Sequence, residues 1–197
     1  MRLIGHIRQL QIQQDALKKG EGAERTYDLG ALSIVPAARL TSEGVIGLID
    51  TREIHDLHHS WHHRSKHRQS NAISFNFAQN YERMRRRFGS ELSMGCGGEN
   101  ILIELVAGVE LAPLLENLEV TLVIETEDSL RGNLTGIKVA KPCVPFSEYV
   151  LNTDAKPPAG VVKETLQFLD GGMRGYYCAW EGAPLEVRMG DKVLTSV

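Results

Sequence analysis

A glycine turn and a proline-flanked cysteine are the two parts of this sequence whose residue types best suit chemistry. Gly97 and Gly98 stand directly before Glu99 and Asn100, and an apolar stretch follows. Glycine lets the backbone approach a ligand closely, so this turn would deliver a carboxyl and an amide side chain to a bound molecule. Cys143, about forty residues later, supplies a thiol, whose thiolate is both a nucleophile and a soft-metal ligand. The two motifs together indicate a small-ligand site with a reactive sulfur.

Cys143 lies between Pro142 and Pro145, two residues after Lys141. The prolines restrict the backbone and predict a strand end or a loop rather than a regular helix. An ammonium group close to a thiol favours the thiolate, so Lys141 on the same strand face would make Cys143 more reactive. Free cysteine is more often a small buried apolar residue, and from the residues alone that role stays open for Cys143.

The other two cysteines have different surroundings. Cys178 stands among aromatic residues in a strand-like segment, which predicts a buried and unreactive side chain. Cys96 lies in the glycine turn, where either a structural or a chemical role is possible. Three widely spaced cysteines without a CxxC motif fit a reducing compartment rather than a disulfide framework.

Histidine is concentrated in one segment, residues 55–67, and a basic group overlaps its end. On a helix, His55, His59, His62 and His63 would share one face and could chelate a transition metal. No cysteine or carboxylate pair completes a zinc motif nearby, which favours a solvated polar segment without a metal. A third interpretation is a binding site for phosphate or another anion, because positive charge accumulates just before a predicted strand. The basic residues are Arg64, Lys66, His67 and Arg68.

Composition places the chain among ordinary globular proteins. Its 197 residues are 42% hydrophobic and 24% charged, with a formal net charge of −3. The length predicts one domain over residues 1–197, and the charge balance argues against nucleic acid as a partner. The sequence has neither a signal-peptide pattern nor an apolar run long enough for a membrane helix. We therefore expect a cytoplasmic protein that does not enter the membrane.

Most of the chain has the pattern of β-strands, and two segments have that of helices. The strand-like segments are 3–12, 29–35, 72–75, 101–106, 120–124, 134–139, 175–180, 185–189 and 192–197. Helical spacing of apolar residues occurs at 76–88, before Gly89, and at 161–169. Since strands and helices do not alternate regularly, the pattern predicts a mainly β protein, an antiparallel sheet closed into a barrel with a few peripheral helices.

The order of several motifs resembles the MOSC family, named after the C-terminal domain of molybdenum-cofactor sulfurases. The resemblance covers residues 44–197, and the family includes stand-alone bacterial members of about this size. Its motifs in this sequence are Arg68-Gln69, Gly97-Gly98-Glu99-Asn100-Ile101, Lys141-Pro142-Cys143, Gly172-Met173-Arg174-Gly175-Tyr176-Tyr177 and Gly190-Asp191-Lys192-Val193. It implies a β-barrel domain that binds the molybdenum cofactor, a pterin that carries a dithiolene-bound metal and a terminal phosphate.

The resemblance also implies roles for individual residues. Cys143 corresponds to the family's key cysteine, proposed as a molybdenum ligand or as a persulfide sulfur carrier. Arg174 and Arg68, with His63, would face the same cavity as Cys143 and receive the cofactor phosphate. Glu99 and Asn100 would organise the floor of the site by bonding backbone groups or the pterin edge, with Lys141 close to the sulfur.

Three functions follow from these readings. The first is a molybdenum-dependent reductase of N-hydroxylated compounds, with Cys143 as metal ligand. Because the chain has no ferredoxin-like cysteine set, its electrons would come from a separate donor protein. The second is a non-redox carrier of cofactor or sulfur with a persulfide on Cys143. The third is a metal-binding or interaction protein in which the histidine segment acts and Cys143 is structural.

Overall fold

A computed structural model describes residues 1–89, 91–110, 120–153 and 155–195. The strands in these ranges are β1 Arg2–Gln13, β2 Lys18–Lys19, β3 Thr26–Tyr27, β4 Leu32–Val35, β5 Ala37–Thr41, β6 Gly44–Ile49, β7 Arg52–His55, β8 Ile73–Phe77, β9 Ile101–Leu105, β10 Leu122–Glu125, β11 Arg131–Val139, β12 Tyr176–Glu181, β13 Leu185–Arg188 and β14 Lys192–Thr195. The helices are α1 Ala78–Phe88, α2 Val144–Leu151 and α3 Ala159–Leu169, and short 3-10 helices occupy Gly22–Glu24, Leu29–Ala31 and Gln69–Asn71.

Seven strands close into a barrel in the order β1, β14, β10, β11, β12, β8, β9 and back to β1. The pairs are antiparallel except β8 with β9, which run parallel. Strand β1 is long enough to pair with β14, β9 and β4 along its length. The mainly β barrel that the sequence predicts is therefore confirmed.

The barrel interior is filled by the inward-facing side chains of its strands. In β1, Ile4, Ile7 and Leu10 are almost completely buried, and aromatic residues from β8 and β12 meet them. Phe75 stacks on Tyr176 with ring centroids 5.2 Å apart. Close packing of branched and aromatic side chains is the main stabilising contribution of such a core.

A second sheet and a small hairpin lie outside the barrel. The sheet has the order β13, β5, β6, β7, and the hairpin pairs β2 with β3. A second apolar cluster lies where α1, α2 and α3 meet, and includes Tyr81, Met84, Cys96, Phe146 and Leu169. Helix α2 also packs against β3 of the hairpin. This helical cluster positions the candidate site described below.

The predicted elements recur with shifted ends. The helix predicted from residue 76 begins at Ala78, because Asn76 and Phe77 complete strand β8. The predicted strand at 29–35 is shorter, since a 3-10 turn at Leu29–Ala31 precedes β4. Residues 196 and 197 of the last predicted strand lie outside the described residues. None of the helices in the described ranges combines the length and the apolarity needed to cross a bilayer.

Candidate functional site

The glycine turn before β9 is held against β1 by two glutamine side chains. Gln11 donates its amide to the Gly95 carbonyl at 2.7 Å, and Gln13 donates to the Gly98 carbonyl at 2.6 Å. Gly98 has φ of +79°, a left-handed conformation that favours glycine. The turn therefore has a fixed position at the end of the barrel, and so has Glu99 after it.

Asn100 joins three segments of the fold through its side-chain amide. Its Oδ1 accepts hydrogen bonds from the backbone N–H and the hydroxyl of Ser74, at 3.0 and 2.9 Å. Its Nδ2 donates to the Gln11 carbonyl at 3.3 Å and to Oδ2 of Asp56 at 3.0 Å. The expectation that this side chain bonds backbone groups is confirmed, and its role is structural.

Glu99 behaves differently, although it is equally buried, with 2% of its surface exposed. Neither carboxyl oxygen has a hydrogen-bond partner among the described residues. The Tyr81 hydroxyl is a close neighbour of the carboxyl group, but outside hydrogen-bonding geometry. Burial raises the pKa of Glu99, while the positive charge of Arg174 and the Tyr81 hydroxyl lower it, and burial has the larger effect. Of the two partners expected for Glu99, backbone groups lie outside hydrogen-bonding geometry in the described part of the chain, and the pterin edge stays a prediction.

Three polar groups converge on Gly97. A Cβ atom at this position would lie 2.6 Å from Oε2 of Glu99, 2.9 Å from Nη1 of Arg174 and 2.9 Å from the Tyr81 hydroxyl. The Gly97 N–H also donates to the Tyr81 hydroxyl oxygen at 2.9 Å. Burial, with the nearby Glu99, raises the pKa of Tyr81 and keeps its proton in place. The absence of a side chain at Gly97 thus leaves room for a carboxyl group, a guanidinium and a phenol around one point.

These groups border a small cavity of about 10 Å³, which we call the Glu99 cavity. Its innermost part has room for about one water molecule. The walls come from the glycine turn, from β8, from the end of β11 and from the start of β12. The lining residues are Gln13, Ser74, Phe75, Gly97, Gly98, Glu99, Ala140, Arg174, Tyr176 and Tyr177.

Arg174 connects this cavity with helix α2. Its guanidinium lies 4.5 Å from the ring centroid of Phe146, and its Nη2 donates a long hydrogen bond of 3.5 Å to the Tyr27 hydroxyl. Burial lowers the pKa of Arg174, but the surrounding phenols and Glu99 outweigh this effect and raise it. The side chain therefore carries a permanent positive charge beside an apolar ring.

Tyr27, in the β2–β3 hairpin, contacts Arg174 of the Glu99 cavity and packs against the helical cluster to which Cys143 also belongs. Its ring packs on Phe146 at 5.2 Å and on Tyr149 at 5.4 Å. Its hydroxyl donates to the carbonyls of the glycine turn, at 3.0 Å for Cys96 and 3.2 Å for Gly97. Burial raises the pKa of Tyr27, and Arg174, Glu99 and Cys143 all act on it electrostatically.

Cys143 is the N-cap residue of α2 and is half-buried against the helical cluster. Its φ of −130° and ψ of 156° are extended, as predicted, but a helix begins directly after it. Pro145 is compatible with this helix because a first-turn residue has no intrahelical N–H bond to lose. Cys143 is not part of the lining of the Glu99 cavity, but it neighbours Tyr27, which contacts that cavity's residues.

The other two cysteines are more deeply buried. Cys178 is completely buried in β12, and burial alone raises the pKa of its thiol, as its predicted inertness requires. Cys96 lies in the helical cluster, where burial and the nearby Glu99 raise its pKa to about 12. Their raised pKa values keep both thiols protonated at neutral pH. Since both are also buried and Cys143 is half-buried, Cys143 is the most accessible of the three sulfurs.

Besides Asn100 and Cys143, three further residues predicted for the site do not line the Glu99 cavity. Lys141 is exposed and pairs with Asp170 at 3.2 Å. It lies outside the strands, so the prediction that it shares a strand face with Cys143 is wrong. Arg68 is exposed just before the 3-10 helix that leads into β8. His63 borders a separate surface cleft together with His55 and other residues of the histidine segment. Arg174 is thus the predicted anion-binding residue that the fold does bring to the cavity.

After His55, which ends β7, the histidine segment forms an irregular loop rather than a helix. His55 and His59 stack with ring centroids 4.4 Å apart, and burial lowers the pKa of His59 to about 4, with a further contribution from His55. His62 and His67 contact backbone carbonyls with their ring nitrogens. Within the described residues, no three histidine, cysteine or carboxylate side chains are placed to hold a metal ion. The prediction that these histidines share a helical face and chelate a metal is therefore wrong.

Tyr27 and Tyr81 are site residues that sequence reasoning did not identify. Tyr81 was expected to be an apolar helix residue, and its ring does pack in the helical cluster, while its hydroxyl reaches Gly97. Tyr27 stands in a mostly polar and exposed stretch without a periodic pattern. A single aromatic residue in a polar stretch indicates a side chain that packs on another element. For Tyr27 that element is α2.

Comparison with known proteins supports the fold and no particular activity. No protein-family model and no curated protein sequence matches the chain. Among solved structures, the fold is similar to that of the YuaD protein from Bacillus subtilis, with a TM-score of 0.59 and 12% sequence identity. The superposition covers 98% of this chain and 96% of that chain. At this identity the likeness concerns the barrel architecture alone.

Proposed function

We propose that this protein binds the molybdenum cofactor and reduces N-hydroxylated compounds, with Cys143 as the thiolate ligand of the metal. The observation that carries the proposal is the clustering of Cys143, Arg174 and Glu99 around Tyr27. A half-accessible sulfur, a buried cation and an unpaired carboxyl group thus occur within one network. Sequence resemblance to the MOSC family selects the molybdenum cofactor among the ligands that this set would suit.

The residues present fit such a cofactor in their chemistry. Thiolate is a soft ligand that suits a thiophilic metal, and Cys143 is the accessible thiol of the chain. The Arg174 guanidinium offers charge-assisted donors to an anionic group, and one oxygen of Glu99 can accept from an N–H group of a pterin edge. The cavity has room for about one water molecule, far less than the roughly 300 Å³ or more of a typical cofactor pocket, so it would receive a single small group of such a ligand.

When bound, the cofactor supplies a metal that accepts and donates electron pairs. The protein's own residues hold the ligand and exclude water. Tyr27 and Phe146 cover the region between Cys143 and Arg174 with aromatic rings. This apolar cover would strengthen the electrostatic interaction of Arg174 with an anion, because charges interact more strongly in a low-dielectric environment. The electrons come from a separate redox protein.

Metal and pterin analysis of protein expressed in a cofactor-producing host tests the proposal. We expect molybdenum and oxidised pterin in the wild-type protein, and turnover of a hydroxylamine with an artificial reductant. Cys143→Ser replaces a soft ligand by a poorly ionised hydroxyl, so turnover should fall by at least about 100-fold while the fold persists. Cys178→Ala, which removes a buried thiol remote from α2, is the matched control and should retain turnover.

Each other outcome has a clear meaning. Molybdenum and pterin without turnover would favour the carrier function, and mass spectrometry would then show a persulfide on Cys143. Protein that acquires neither molybdenum nor pterin would contradict both functions. Full turnover of the Cys143→Ser protein would exclude this residue as the essential ligand.

A further inference from the structure

Glu99 carries a buried carboxyl group that the fold does not use. Both the oxygen and the nitrogen of the Asn100 side-chain amide make structural hydrogen bonds. Both carboxyl oxygens of Glu99, by contrast, lack a partner among the described residues. A buried polar group without a partner costs free energy, so such a group calls for an explanation other than stability. The position of Glu99 on the wall of a cavity, 2% exposed, points to a ligand-directed role.

The surroundings of Glu99 favour a proton on the carboxyl group and also tolerate its loss. Burial disfavours the carboxylate more than Arg174 and the neighbouring Tyr81 hydroxyl favour it, and no group in the described ranges is in hydrogen-bonding geometry with either oxygen. Nη1 of Arg174 nevertheless lies on the same side, close to the space above Gly97 that Oε2 of Glu99 borders. The guanidinium would stabilise the carboxylate once the proton has left. A general acid needs both properties.

We propose that Glu99 is held as a neutral carboxylic acid and donates its proton to the oxygen of an N-hydroxylated substrate at the Glu99 cavity. The assignment rests on the reductase function proposed above. The inner part of the cavity has room for about one water molecule, which suits the hydroxyl group that must leave. Glu99 is therefore a catalytic residue, in contrast to the structural role expected from its place in the glycine turn.

The step balances as R–NH–OH plus two electrons and two protons giving R–NH2 and water. The electron pair comes from a reduced electron-donor protein and breaks the N–O bond. The departing hydroxyl takes the proton of Glu99 and leaves as water, and a second proton from solvent joins the nitrogen. Nitrogen is reduced, the donor protein is oxidised, and solvent returns a proton to the Glu99 carboxylate before the next turnover.

Infrared spectroscopy of the cofactor-free protein tests the charge state directly. We expect a protonated-carboxyl C=O band at neutral pH that is lost in Glu99→Gln and persists in Glu104→Gln. Glu104 is the matched control because it lies in β9, close in sequence, but is exposed and paired with Arg8. If the wild-type protein shows no such band at neutral pH, the proposal is overturned whether or not the protein binds a cofactor.

Turnover of the cofactor-loaded protein tests the proton transfer. Glu99→Gln should keep its molybdenum content and lose at least about 100-fold in kcat, because general acid catalysis contributes on that scale. Glu99→Asp, which retains an acid one methylene further back, should keep the infrared band and recover part of the lost kcat. Glu99→Gln with wild-type kcat would overturn the assignment. If the wild-type protein contains no cofactor, the proposed reductase function is contradicted, and the role of Glu99 as proton donor is contradicted with it.

Discussion

Glu99 and Asn100 are adjacent in the chain, yet their side chains have opposite roles. The Asn100 amide is saturated with hydrogen bonds to β1, β8 and Asp56, which holds the start of β9 in place. Glu99 takes its position from this anchor, and its carboxyl oxygens make no hydrogen bond within the part of the chain that the structure describes. The glycine turn thus combines one residue that fixes the backbone with one that faces the cavity.

The pH dependence of stability should report the raised pKa of Glu99. A carboxyl group whose pKa is higher in the folded state stabilises the fold at low pH, and this contribution is lost as pH rises through the folded pKa. Glu99→Gln removes the titration. The free energy of unfolding of Glu99→Gln, relative to wild type, should therefore increase with pH above the ordinary glutamate range and then level off.

Urea unfolding at a series of pH values measures this difference on cofactor-free protein. Glu104→Gln is again the control, because it removes an exposed carboxylate paired with Arg8 and should change stability little. A difference between Glu99→Gln and wild type that stays constant from acid to neutral pH would show that the pKa of Glu99 is not raised.

At the scale of elements, helix α2 and the β2–β3 hairpin are the parts that bring Cys143 and Arg174 together. Phe146 is fully buried in α2 and contacts both Tyr27 and the Arg174 guanidinium. Since Cys143 caps the same helix, a shift of α2 would move the sulfur relative to the Arg174 guanidinium. The packing of one aromatic side chain thus sets the geometry between the two groups.

Phe146→Leu should separate this positioning role from general stability. The change keeps an apolar side chain of similar size but removes the aromatic face, so we expect a loss of about 1 kcal/mol in stability and weaker cofactor retention. Molybdenum content after gel filtration and urea unfolding measure the two effects. Phe168→Leu is the control, because Arg87 stacks on that ring at 4.6 Å in another part of the helical cluster. Equal molybdenum loss in both variants would contradict the positioning role.

Some elements carried no pattern from which they could be predicted. Strands β5 and β6 are buried on both faces and rich in alanine and glycine, so they lack the alternation of polar and apolar residues that marks a half-exposed strand. Helix α2 was not predicted, because Pro142 and Pro145 indicate a loop unless they stand at the start of a helix. By contrast, β1, β11 and α1 have clear periodicity, and their positions were predictable.

At the scale of the whole molecule, β1 holds the barrel closed by pairing with β14 through its first half and with β9 from Gly5 to Leu10. Gly5 stands at a register shift in the pairing with β14, where the backbone of β9 approaches closely. The barrel class followed from the many short strands, but its closure and the parallel pair β8–β9 depend on long-range contacts. For the same reason Glu99, Arg174 and Cys143 were identifiable from sequence, whereas their meeting around Tyr27 was not.

Gly5→Ala should destabilise the whole barrel. The added Cβ would lie 2.3 Å from the backbone carbonyl oxygen of Glu104, so the β1–β9 pair must move apart. We expect a loss of about 3 kcal/mol in the free energy of unfolding, measured in urea. The control is Gly160→Ala, which has open space in α3 and should gain about 0.5–1 kcal/mol from helix propensity. Wild-type stability of Gly5→Ala would contradict this close approach.

The central claim is that Cys143 supplies a sulfur ligand to molybdenum, and X-ray absorption at the molybdenum edge tests it most directly. Wild-type protein and the Cys178→Ala control should give the same set of sulfur neighbours around the metal. The Cys143→Ser protein should show one sulfur neighbour fewer, replaced by a lighter atom. Identical spectra for the wild-type and Cys143→Ser proteins, or a wild-type protein that contains no molybdenum, would contradict the account.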